Sequence, residues 1–179
     1  MDIRFLVKLT SRAWCLPTLS LMHDGVAGKQ AALLRHTGAG RTAFGQSMEN
    51  LIALELVERT PGHGHPFRPE YRLTLKGQPI AAMAAQVQHA LPAPAAAPLL
   101  RRSWTLPILA VSQTPRFFSG LKDALPMITD RALSQSLKQL READWISRHV
   151  DVGLMPPRPI YAAANAGRSI GAAARQHLR

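Results

Sequence analysis

In the stretch "TDRALSQSLKQLREA" (Thr129–Ala143), Arg131, Ser134, Gln135 and Lys138 recur at helical spacing, so all four fall on one side of a helix. A guanidinium, a hydroxyl, a carboxamide and an ammonium form a donor-rich face, chemistry that suits phosphate oxygens and base edges. Leu133, Leu137 and Leu140 occupy the other side at i, i+4 and i+7, the pattern of a buried stripe. An earlier stretch, "GRTAFGQSMENL" (Gly40–Leu51), offers a related face of Arg41, Thr42, Gln46 and Asn50. There Glu49 stands where Lys138 stands in the later stretch; it would repel phosphate, or accept from cytosine N4 if it reached a groove. Polar residues on a helix also fit a merely solvated surface, so the faces need support from the rest of the chain.

Charge supplies some of that support. Among 179 residues, 22 Lys and Arg outnumber 11 Asp and Glu, leaving a net charge of +11. The sequence pI near 11.2 favours polyanionic partners, meaning nucleic acid or an acidic membrane surface. With 46% hydrophobic and 18% charged residues, the chain is expected to fold. One cysteine, Cys15, allows no internal disulfide and fits a reducing compartment. Asp2, Arg4, Lys8 and Arg12 interrupt the apolar N-terminal residues, so no secretory signal is read there. Gly77–Leu100 lacks formal charge, but Gln78, Gln86, Gln88, His89 and Pro79, Pro92, Pro94 and Pro98 argue against a membrane span. A cytoplasmic protein without a membrane partner is expected.

The two polar faces belong to a longer internal correspondence. Trp14, Leu16, Pro17 and Leu19 match Trp104, Leu106, Pro107 and Leu109 at an offset of 90. Gln46 and Ser47 match Gln135 and Ser136 at an offset of 89, and Phe44, Met48 and Leu51 then meet Leu133, Leu137 and Leu140. Arg59 meets Arg148, while Tyr71 and Gly77 meet Tyr161 and Gly167. The ordered series reads as one folding unit written twice. The proline-rich, uncharged "LPAPAAAP" (Leu91–Pro98) reads as a semi-stiff linker, giving units of about 1–92 and 93–179 with the linker at about 91–98.

The later unit predicts its elements more clearly. "SWTLPILAVS" reads as an apolar helix capped by Ser103, with Pro107 tolerated in its first turn. "FFSGLKDAL" is a second short helix, and "PMIT" is a tight turn. Thr129 is placed to N-cap the third helix, where Asp130 suits the positive helix end. "WISRHVDV" and "PPRPIYAAA" read as a hairpin, followed by a C-terminal helix. Helix, helix–turn–helix and hairpin is the winged helix-turn-helix order.

With "WTLPIL", "LPMITDRALSQSLKQL" and "PPRPIY" in the later unit, and "LVERT" and "YRLTLKG" in the earlier one, the chain resembles the HxlR-type winged-helix transcriptional regulators. The resemblance implies a regulator that binds double-stranded DNA through the third helix of each unit. That family has one such unit per chain and dimerises, so this chain is expected to carry the dimer covalently, as a pseudo-dimeric monomer. Redox-responsive members use a cysteine ahead of the first helix; Cys15 lies inside it and is read instead as a buried structural residue.

The expected fold is mostly α with small β-hairpin wings (α+β), two tandem winged units forming a pseudo-two-fold dimer. Arg131 would face guanine, Gln135 adenine or a nearby phosphate, and Ser134 and Lys138 phosphates. Arg68 in the first wing, "GHGHPFR", and Arg158 in the second, "DVGLMPPR", would meet phosphate or the minor groove. His63 and His65 across one residue make too few ligands for a metal site. Trp14, Trp104, Tyr71 and Tyr161 are read most simply as core, with the lining of a pocket for an unspecified small-molecule effector as the alternative. No cofactor is expected. Neither a phosphate-binding glycine loop nor a nucleophile elbow is present, and no acid/base pair stands out, so an enzyme is not expected. The competing function is a protein-interaction module built on degenerate winged helices, which Glu49 and the imperfect "YAAANAG" tail favour.

Overall fold

A computed structural model describes residues 1–60, 70–151, 153 and 155–178. Helices dominate, with small antiparallel sheets, and the chain divides into two compact units. One is Lys8–His89; the other is Ala90–Arg179 together with Met1–Val7. Helix α1 (Ile3–Thr10) therefore runs across the division.

In the unit Lys8–His89, α2 (Cys15–His23) packs along α5 (Gly77–His89). The fit rests on small side chains: α5 buries Ala81, Ala84 and Ala85 beside Ile80, Met83 and Val87. Between them α3 (Gln30–Thr37) and α4 (Arg41–Ala53) form a helix–turn–helix. Gly38 closes α3 at φ 68°, a left-handed conformation that glycine adopts without the cost a side chain adds. Strands β1 (Val57–Thr60) and β2 (Glu70–Leu73) pair from Val57↔Leu73 to Thr60↔Glu70, and a single bridge joins Lys29 to Glu70.

In the other unit a 3-10 turn (Pro94–Ala96) and α6 (Ala97–Leu100) occupy most of the stretch expected as a linker. Helix α7 (Thr105–Val111) is buried along its whole length and packs on α10 (Asn165–Arg175). The approach is close: a Cβ on Gly171 would lie 2.4 Å from the Leu109 carbonyl oxygen. Strand β3 (Arg116–Phe117) leads into α8 (Phe118–Ala124), and α9 (Asp130–Glu142) follows a short turn. Strands β4 (Ile146–Asp151) and β5 (Arg158–Ala163) form the hairpin, and β3 completes a sheet of order β3-β5-β4.

The two helix-to-strand turns use the same device at an offset of 89. Glu55 and Asp144 adopt φ 59° and 57°, and the next amides, of Leu56 and Trp145, donate back to the carbonyls of Leu51 and Leu140 at 3.0 and 2.8 Å. The Thr74 hydroxyl donates to the Glu55 carbonyl at 2.7 Å, and the Asn165 amide donates to the Asp144 carbonyl at 2.9 Å. Gly77 and Gly167 lie under these turns. A Cβ would fall 1.9 Å from the Leu56 carbonyl oxygen or 2.1 Å from that of Trp145.

Two expectations about these elements are corrected. Ser103 is not the cap of α7, whose first helical residue is Thr105; Trp104 takes the cap position without a side-chain cap bond, and the Thr105 hydroxyl donates to Leu99 O at 2.8 Å. Trp14, Trp104, Tyr71 and Tyr161 are only half-buried, and the tryptophan that enters the core is Trp145. Strand β3 was not anticipated at all.

Candidate nucleic-acid interface

Helices α4 and α9 are each thirteen residues long, and each buries one apolar side. In α9 the buried residues are Leu133, Leu137 and Leu140; in α4 they are Phe44, Ser47, Met48 and Leu51. Those buried stripes decide what remains outside. On α9, Arg131, Ser134, Gln135 and Lys138 are exposed; on α4, Arg41, Thr42, Gln46 and Glu49 are exposed.

The two starts differ. Thr129 caps α9, its hydroxyl accepting from the Ala132 amide at 3.2 Å, and Lys122 of α8 pairs with Asp130 at 2.5 Å. The carboxylate both suits the helix dipole and ties the preceding helix to the first turn. Helix α4 starts instead from Gly40, with no side-chain cap and no acid in its first turn. Further along α9, Lys138 lies 3.9 Å from Glu142, a loose exposed pair that leaves its ammonium available to another anion.

Asn50 does not join the exposed face. Its amide donates to the Lys8 carbonyl at 3.1 Å and to the Cys15 sulfur at 3.4 Å, because position 50 follows the buried Ser47 and Met48 around the helix. Cys15 in turn donates to the Ser47 carbonyl at 3.5 Å. Burial pushes its thiol up to about 11, against the smaller opposing effects of Asn50, Ser47 and Arg12. A thiol held protonated is a poor nucleophile, in keeping with a structural cysteine. Gln46, though exposed, has a partner: Arg12 Nη1 donates to Gln46 Oε1 at 3.3 Å.

Of the wing residues, Arg158 is exposed at the start of β5, opposite Asp151. Arg68, His63 and His65 lie outside the described residues. Among the described residues no cluster of three or more His, Cys, Asp or Glu could hold a metal, and no helix is long and apolar enough to cross a membrane. Arg141 and Arg148, which sequence reasoning did not single out, line an open groove with Lys138, Glu142 and Asp144 between the end of α9 and β4. Helical spacing from Lys138 to Arg141 was the available signal; the approach of β4 was not.

Solved structures similar to the chain include these two. The reduced form of the transcriptional regulator YodB from B. subtilis is 26% identical, with 48% of this chain and 87% of that one covered, at a TM-score of 0.42. A structure from Porphyromonas gingivalis W83, described as of the MarR family, is 25% identical over 44% of this chain and 78% of its own, at a TM-score of 0.40. No curated protein matches the chain. Residues 99–177, which contain α9 and the β4–β5 hairpin, match the HxlR-like helix-turn-helix family.

Proposed function

We propose that this protein is a transcriptional regulator that binds duplex DNA through two third helices, α4 and α9, carried on tandem winged helix-turn-helix units. The observation that carries the reading is the exposed donor face of α9, inside a segment similar to an HxlR-like helix-turn-helix. The net charge of +11 supports a polyanionic partner. The matched turns at Glu55 and Asp144, and the matched glycines beneath them, support one unit used twice. In this reading the units stand in for the two subunits of a dimer. Arg131 and Gln135 read base edges, while Ser134, Lys138 and Arg158 hold phosphates. Arg41, Thr42 and Gln46 serve the other half-site, with Arg68 as its wing contact; Asn50 is left out because its amide is engaged inside the unit.

Binding to random duplex should weaken steeply with salt, since each phosphate contact releases counterions. Gel shifts of the wild type at two salt concentrations measure this. On a selected site, Arg131→Ala should lose discrimination worth about 1–3 kcal/mol, whereas Lys138→Ala should weaken selected and random duplex alike. Glu49→Lys should tighten both. A second reading, a protein-interaction module, is favoured by the carboxylate that Glu49 exposes on α4. A flat salt dependence would remove the first reading and leave the second standing.

A further inference from the structure

The two glutamines that sequence pairs with each other, Gln46 and Gln135, are not chemically equivalent. Gln46 accepts from Arg12 Nη1 at 3.3 Å, and both side chains are exposed. A guanidinium only donates, so the edge of the amide facing Arg12 must be its carbonyl. The positive charge beside Oε1 opposes a second donor there, and Nε2 remains as a donor. Arg12 also keeps further N–H groups for use close by. The pair therefore presents donors.

Gln135 has no side-chain partner among the described residues, and neither has Arg102, which stands at the place of Arg12 at an offset of 90. Its amide keeps both a donor and an acceptor for the groove. Adenine offers N7 as acceptor and N6–H as donor, which matches an unencumbered glutamine; guanine offers N7 and O6, two acceptors, which matches a donor pair.

We infer that Arg12 is a specificity-determining residue that turns Gln46 into a guanine reader, while Gln135 at the equivalent place reads adenine. The inference rests on the proposed DNA reading and deepens it. The two half-sites then differ at a position where the helices carry the same amino acid.

Selection from a random duplex library, run with the wild type, Arg12→Ala, Arg12→Lys and Arg102→Ala, tests it. The wild type should enrich a site with guanine in one half and adenine at the corresponding place in the other. Arg12→Ala should move the guanine to adenine by roughly fivefold or more in preference, the lower end for one well-made base contact, without altering the other half. Arg12→Lys keeps a donor and should keep guanine, and Arg102→Ala should change neither base. The same base in both halves of the wild-type site would overturn the inference, as would an Arg12→Ala site unchanged from wild type, while leaving DNA reading intact. If no sequence is enriched by any of the four proteins, the sequence-specific reading falls, and this one with it.

Discussion

Helices α4 and α9 have the same length, the same buried side and the same turn into a hairpin, yet their outward faces diverge. Helix α9 is anchored at its start by Thr129 and by the Lys122–Asp130 pair, and exposes two cations among its four face residues. Helix α4 begins at an uncapped glycine and carries Gly45 in its middle, where α9 has Ser134. It exposes Glu49 in place of Lys138. The buried side and the turn that ends each helix are shared, whereas the start of the helix and its outward face differ. A fold tolerates change where a side chain ends in water, and little where it ends on another backbone.

The glycines break the comparison most sharply. Gly77→Ala and Gly167→Ala should each cost about 3 kcal/mol or more in thermal or denaturant unfolding, because a methyl group would meet a carbonyl oxygen rather than a movable side chain. Gly45→Ala meets nothing within 4 Å and should add about 1 kcal/mol through helix propensity. Equal effects at all three sites would mean that the close approach under the turns is not what those glycines serve.

Cys15 comes next, since the residue at its place in the other unit is Thr105, equally buried. The native thiol keeps its proton to about 11, while the unfolded chain ionises near the ordinary value of 9.0. Its contribution is intact below about pH 9 and is lost as pH rises toward 11. Wild type should therefore lose stability relative to Cys15→Ser across that interval and not below it. Native protein should also react slowly with a thiol reagent that labels the unfolded chain quickly. Rapid native labelling would put Cys15 outside the structural role.

The caps give the smallest effects. Thr129→Ala should cost about 1 kcal/mol, whereas Gly40→Ser, at an extended backbone position with open space around it, should gain only a few tenths. If Gly40→Ser also raises affinity for duplex DNA, fraying at the start of α4 limits that helix as a reader.

Much of α9 is legible in the sequence alone. The Leu133, Leu137 and Leu140 stripe, the Thr129 cap and the hairpin beyond are local patterns, and each is present. The misses share one cause, which is that distant residues decide them. Strand β3 is two residues long and exists because β5 lies beside it, so it has no period to read. Glu55 at positive φ carries no sequence signal, since glutamate is an ordinary helix former; the turn is imposed by the hydrogen bonds around it. The inward turn of Asn50 depends on Lys8 and Cys15, and the Arg12–Gln46 pair spans 34 positions. Helical spacing placed Asn50 near the polar face, and only packing could take it away.

Helix α1 has a consequence for the order in which the chain becomes a protein. Met1–Val7 clusters with Ala90–Arg179, although the whole of Lys8–His89 lies between them in the chain. On a ribosome these seven residues emerge before Lys8–His89, and the elements they join emerge after it. Leu6, fully buried at the end, must wait exposed while Lys8–His89 is made and can fold. Closing that long loop adds non-local contacts late, which slows the final step relative to one made of neighbouring helices. A fragment cut cleanly at residue 90 would lack the helical segment Met1–Val7 that packs with it, and supplying Met1–Thr10 as a separate peptide is the natural way to restore it.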